Sequence, residues 1–347
     1  MNNRRKFLQH AGILATAAGI PASLPFNGNA EPAVKEAVVI ASADVAVVTL
    51  EAGKIRGYKR NDIFTFKGIP YGSDTSGKNR FMPPIKPNSW KGIREALVYG
   101  PICPQKINNG WLQQEYGFLY QWIDGFQDED CLRLNVWSKG INDGKKRSVM
   151  FWIHGGGFFS GSSQEHPSYD CENLSLLGDV VVVSVNHRLN AFGFLDLSDY
   201  GSQYASSANV GMLDLVLALE WVRDNITAFG GDPNNITIFG QSGGGTKVIT
   251  LMAMTAAKGL FHRAISQSNS IVQVATHNYA AQITAHIFGE LGIKDIEKLQ
   301  EISPVQLLAA VSAAEKKMGN VVPIGVGRAG LQPVVDGHVL PTHLNKL

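Results

Sequence analysis

Apolar and polar positions along the chain form short runs that change period twice. Residues 47–50, 54–58 and 63–67 read as antiparallel strands, with turns at Gly53 and at Asn61 and Asp62. The stretch 72–127 is rich in Pro, Gly, Trp and polar residues and has poor periodicity, which predicts loop with short helical turns. Apolar runs follow at 134–137, 149–153 and 180–185. The last two lack alternation, as expected of strands covered on both faces. Met212, Leu215, Leu219, Val222 and Ile226 then recur at helical spacing. Gly230, Gly231, Asp232 and Pro233 end that helix and lead into a fresh apolar run at 236–239, completing a βαβ unit. A strand at 264–266 and helices at 279–291 and 304–318 complete the reading. No repeat or low-complexity linker interrupts it. The pattern predicts one α/β domain over 45–347, after a polar leader at 31–44, with an incomplete C-terminal side.

Two glycine-rich motifs bring chemistry to this frame. Gly240-Gln241-Ser242-Gly243-Gly244 follows the run at 236–239, and His154-Gly155-Gly156-Gly157-Phe158 follows the run at 149–153. A GxSxG between strand and helix is the nucleophile elbow of the α/β-hydrolase fold, whose sharp turn lifts a serine hydroxyl clear of the sheet edge. The second motif complements it. Backbone N–H groups of a glycine-rich turn can receive the negative charge that an acyl oxygen gains when its carbon becomes tetrahedral. Either motif alone is weak; both in this order and context point to a serine hydrolase.

Longer stretches extend the likeness. They are GKIRGY from Gly53, FKGIPYG from Phe66, RFMPP from Arg80, DEDCLRLNVW from Asp128 and VVVSVNHRLNAFGFL from Val181. The most specific runs from Asn209 to Gly245, followed by LFHRAISQS from Leu260 and QPVVDGHVLP from Gln332. With these the chain resembles the type-B carboxylesterases, a family that includes the cholinesterases. The resemblance implies an α/β-hydrolase fold with a mostly parallel central sheet. It also implies Ser242 as nucleophile and the N–H groups of Gly156, Gly157 and Gly243 as the oxyanion hole. Two positions depart from the family pattern, which usually has Glu before the serine and Ala after it; this chain has Gln241 and Gly243. Glycine still offers an N–H. Gln241 removes a carboxylate from beside the nucleophile, which weakens any preference for cationic substrates.

The general base is not legible. The fold's triad runs Ser, then Asp or Glu, then His, and only 105 residues follow Ser242. By resemblance the acidic partner and the histidine both lie beyond Leu347, so the chain reads as the front part of an esterase, with little activity of its own. A substitute among His262, His277, His286, His338 or His343 is the alternative, though none is placed as an obvious base. His154 reads as a structural histidine anchoring the oxyanion turn.

Composition is ordinary, with 44% hydrophobic and 17% charged residues and a net charge of +2. Arg4, Arg5 and Lys6 ahead of the mildly apolar segment 11–20 read as a twin-arginine export signal over 1–30; a basic amphipathic helix is the competing reading. Removing 1–30 takes the net charge from +2 to −1, which argues against nucleic acid or an anionic membrane as partner. No other apolar run approaches a membrane span in length. Export permits disulfides, and the resemblance pairs Cys103 with Cys131, closing a loop of 28 residues and leaving Cys171 as a free thiol.

These readings imply an exported, periplasmic or secreted hydrolase of small-molecule carboxylic esters that needs no metal or organic cofactor. A lactonase or amidase would use the same front half, and some members of the family are non-catalytic binding or adhesion proteins. The substrate and the oligomeric state stay open.

Overall fold

Thirteen strands account for the β-structure of this computed structural model, which describes residues 38–42, 44–106, 125–269, 273–319 and 330–346. The expected export signal at 1–30 lies outside them. The described residues belong to one unit, 38–347.

The first hairpin is β2 (Val47–Thr49) with β3 (Lys54–Arg56), joined in parallel by β6 (Ile93–Glu95). The strand expected at 54–58 is in fact two, because Gly57 hands the chain to a second sheet. A Cβ on Gly57 would sit 2.2 Å from the Thr65 carbonyl oxygen, so only glycine makes that crossing. β4 (Tyr58–Arg60) and β5 (Ile63–Pro70) then pair across a turn in which Asn61 and Asp62 both have positive φ, 49° and 65°.

The large sheet adds β1 (Val39–Ile40), β7 (Arg133–Ser138), β8 (Arg147–Ile153), β9 (Val181–Val185), β10 (Gly231–Gln241) and β11 (Arg263–Gln267). Its order is β1-β4-β5-β7-β9-β8-β10-β11. Pairings from β1 to β9 are antiparallel, and only β9, β8, β10 and β11 run parallel. The sheet is therefore mixed rather than mostly parallel. Of the antiparallel neighbours only β4 and β5 are joined by a short hairpin turn; the others are brought together by long connections, and the parallel half crosses over through helices. β9 is buried at all five positions, which explains its lack of alternation.

The helix Val210–Asn225 packs on this sheet and buries twelve of its sixteen residues. Together with its flanking turns it forms a helical stretch, Ser202–Phe229, that is long enough to cross a bilayer and holds an 18-residue window of mean hydropathy 1.2. This differs from the expectation that no apolar run after residue 30 approaches a membrane span in length. Its apolar residues are taken up by the core, since 78% of that window is buried. After Gly230, in a left-handed conformation, the register of β10 on β8 breaks between Gly231 and Ile236, so the Asp232-Pro233 turn bulges out before the strand proper begins.

Buried charge crosses between segments. Arg188 and Asp214, 2% and 0% exposed, pair through the Nε–Nη2 edge of the guanidinium, and Arg80 pairs with Glu129 while donating to the carbonyls of Leu299 and Ile302. The second pair ties the front of the domain to its later helices. There His277–Leu291 packs on Pro304–Met318, which Ser303 and Gln306 start with a reciprocal capping box. A two-stranded parallel sheet of β12 (Ala275–Thr276) and β13 (Val334–Val335) closes that side.

Candidate active site

β10 ends at Gln241 and the helix Gly243–Ala253 begins two residues later, leaving Ser242 alone to make the turn. It does so at φ 56° and ψ −121°, a conformation costly for a residue with a Cβ. Neighbouring glycines make that turn possible. A Cβ on Gly240 would lie 2.5 Å from the Gly244 carbonyl carbon, and one on Gly244 would lie 2.1 Å from the Ile153 oxygen. The elbow folds onto itself and onto the end of β8 at once. Ser242 N–H donates to Gln267 O at 2.9 Å, which fixes the elbow to the end of β11, and its side chain is exposed.

β8 delivers the second motif to the same place. Gly156 and Gly157 both take positive φ, 84° and 65°, and a Cβ on Gly243 would be 2.3 Å from the Gly157 nitrogen. Among the described residues the N–H groups of Gly156 and Gly157 donate to no acceptor, and that of Gly243 stands at the helix start, outside the helix's own ladder. The structure thus brings together all four residues singled out in the sequence: Ser242, Gly156, Gly157 and Gly243. Three backbone donors and one exposed hydroxyl at one sheet edge is an arrangement suited to acyl transfer.

His154 anchors the turn, as expected. Its ring is 1% exposed, Nδ1 contacts the Gly155 carbonyl at 2.9 Å, and it stacks on His187 at 5.1 Å. Burial, then the charge of Lys247, hold its pKa well below the ordinary imidazole value, so it stays neutral. None of the described residues hydrogen-bonds the Ser242 hydroxyl. His262 accepts from Ile236 N–H at 3.1 Å, and Ile236 lies six residues before Ser242 along β10, about 20 Å away at strand rise. His277 is held between Asp196 and Asp199, which raise its pKa. His286 rides the helix His277–Leu291, and His338 lies exposed in a turn.

Two residues that the sequence did not mark lie under the motif. Lys247, in the elbow helix and fully buried, donates to His154 O at 3.2 Å and faces Glu165. Burial pulls its pKa down to about 7, and burial pushes that of Glu165 up to about 7. Among the described residues no group of His, Cys, Asp and Glu is arranged to hold a metal ion.

All three cysteines are free thiols here, so the expected Cys103–Cys131 bond is not formed in this structure. The two sulfurs nevertheless meet. Contact with the Cys103 thiol, and then burial, raise the Cys131 pKa well above its ordinary value, and Cys103 Sγ also accepts from Leu189 N–H at 3.2 Å. Cys171 is separate and buried, its pKa pushed up to about 12 by burial.

Similarity to known proteins follows the same boundaries. The model of the carboxylesterase family matches residues 44–347. The para-nitrobenzyl esterase of Bacillus subtilis is 40% identical over 86% of this chain and 58% of its own. The crystal structure of a carboxylesterase of Geobacillus stearothermophilus has a TM-score of 0.74 at 41% identity, over 86% of this chain and 57% of that one. An esterase of Clostridium hathewayi that can hydrolyze aliphatic aromatic polyesters has a TM-score of 0.73 at 43% identity, over 86% of this chain and 58% of that one. The chain thus spans less than two thirds of the length of these relatives. The elbow, the glycine turn that meets it and the mixed sheet that carries both are the frame of an α/β-hydrolase, and the chain belongs to the carboxylesterase family.

Proposed function

We propose that the protein hydrolyses small, uncharged carboxylic esters through an acyl-enzyme on Ser242. The observation that carries this reading is the contact of Gly157 with Gly243 beside a serine held at φ 56°. In the first step Ser242 Oγ attacks the ester carbonyl carbon and gives up its proton to a base. The carbonyl oxygen becomes an oxyanion facing the N–H groups of Gly156, Gly157 and Gly243; the C–O bond then breaks and the alcohol leaves with a proton. Water repeats the sequence on the acyl-enzyme, releasing the acid and restoring the serine. Neither step draws on a metal or an organic cofactor. Gln241 beside the serine adds no charge, in keeping with a neutral substrate.

The reading requires a general base, and no described residue reaches the Ser242 hydroxyl. We therefore assign the base to a residue outside the described ones. Export by the twin-arginine route, directed by residues 1–30, belongs to the same proposal; conversion of Arg4 and Arg5 to Lys should hold the protein in the cytoplasm. Ser242→Ala in the protein as its gene encodes it tests the nucleophile. Hydrolysis of p-nitrophenyl butyrate should fall to the background of the buffer, and turnover above a few per cent of the parent would reject the assignment.

A further inference from the structure

A run of three glycines cannot hold its own conformation, because glycine has the widest backbone freedom of any residue. The turn from Gly155 to Gly157 must nonetheless keep two N–H groups aimed at one point beside Ser242. One end is tied by Asn190 N–H, which donates to Phe158 O at 2.7 Å. The other end is tied by Lys247. Its Nζ donates to His154 O at 3.2 Å, one peptide before the glycines, and lies 5.9 Å from the Phe158 ring centroid.

An ammonium there is expensive. Lys247 is fully buried, and taking such a group out of water costs several kcal/mol even after relaxation. Glu165 offsets part of this by charge, its carboxylate fixed by the Ser162 N–H. The other titratable groups facing Lys247 are His154 and His187, both neutral, so Glu165 supplies the only opposite charge among the described residues. An apolar side chain of the same length would fill the space at lower cost. Stability therefore gives no reason for a lysine at 247, whereas the position of the His154 carbonyl does.

Building on the esterase reading, we propose that Lys247, with Glu165 as its counter-charge, is the positioning residue of the oxyanion turn. Its ammonium holds the His154 carbonyl so that Gly156 and Gly157 stay packed against Gly243, with their N–H groups presented to the oxyanion. Those donors matter more to the tetrahedral state than to the bound ester, so losing their alignment lowers kcat and spares KM.

Lys247→Met, in the protein as its gene encodes it, separates this role from a merely structural one. Two readouts are taken. Amide hydrogen exchange at Phe159 and Ser160, whose N–H groups donate to Gly156 O, referenced to Met150 and Phe151 of β8, should accelerate at least tenfold. Turnover of p-nitrophenyl butyrate should lose about tenfold in kcat with KM within twofold, while the melting temperature stays level or rises. Unchanged exchange at both of these amides overturns the proposal, as does an unchanged kcat in an enzyme with Ser242-dependent turnover. Should the parent show no such turnover, the esterase reading fails and exchange alone decides the role of Lys247. If Lys247→Met does not fold, Glu165→Gln is read by the same exchange; about threefold acceleration is expected, and none overturns the proposal.

Discussion

Gly243 and Gly157 stand so close that a Cβ on Gly243 would be 2.3 Å from the Gly157 nitrogen and 2.4 Å from its Cα. The elbow and the oxyanion turn are thus in backbone contact, with no room for the alanine that the family usually carries after its serine. Gly243→Ala should push the turn away, costing about 1–3 kcal/mol in stability through overpacking and at least tenfold in kcat/KM. Chemical denaturation and steady-state kinetics check both; unaltered values for the two would show that the turn yields freely.

Arg188 and Asp214 form the most buried ion pair among those described, at 2% and 0% exposure. Arg188→Met leaves the Asp214 carboxylate in the core without its partner. The expected loss is about 3–5 kcal/mol at pH 7, measured by urea denaturation, because an uncompensated buried charge is worse than no charge. The double variant Arg188→Met with Asp214→Leu should recover most of it.

How much of this the sequence showed depends on range. Strand and helix positions were legible where a run buried itself in one register, as at 149–153, or repeated at helical spacing, as from Met212 to Ile226. The site motifs were legible for the same reason: Gly240, Gly244 and Gly156 are required by backbone contacts only a few ångströms wide. The break at Gly57 was not, because it depends on Thr65 and Phe66 arriving from the next strand. Neither was Lys247. A lysine one turn past the elbow reads as solvent-facing, and it is buried only because that helix lies against the turn after β8.

The pH dependence of Lys247 follows from its folded pKa of about 7 against an ordinary 10.5. Below about pH 7 folded and unfolded chains both hold the proton, and the folded chain bears the full cost of burying it. Between about pH 7 and 10.5 the folded chain releases the proton first, and that cost fades. Any gain in melting temperature from Lys247→Met should accordingly be largest at pH 6 and shrink by pH 9. A gain that grows with pH would contradict the buried-ammonium account.

Cys103 and Cys131 are thiols in contact, and we expect them to bridge in oxidised, exported material. Closing a loop of 28 residues should add about 3–4 kcal/mol on the chain-entropy model. Peptide mapping without reduction would show the pair, and Cys171 joined to either partner would refute it.

Residues 31–347 expressed alone should hydrolyse p-nitrophenyl esters no faster than their Ser242→Ala variant. Two observations motivate this. No described residue hydrogen-bonds the Ser242 hydroxyl, and losing the base can cost on the order of 10⁶ in turnover. β11 is exposed along its whole length, Ile265 at 44%, which favours aggregation as well. A soluble monomer with Ser242-dependent turnover would contradict this expectation and place the base within residues 31–347.

In the proposed reaction Ser242 accepts the acyl group. This is tested most directly by quenching the gene-encoded protein in acid during turnover of p-nitrophenyl butyrate and mapping the adduct by peptide mass spectrometry. One butyryl group is expected on the peptide carrying Ser242, absent from Ser242→Ala. Acylation of another residue, or hydrolysis that proceeds with Ser242 replaced, would contradict it.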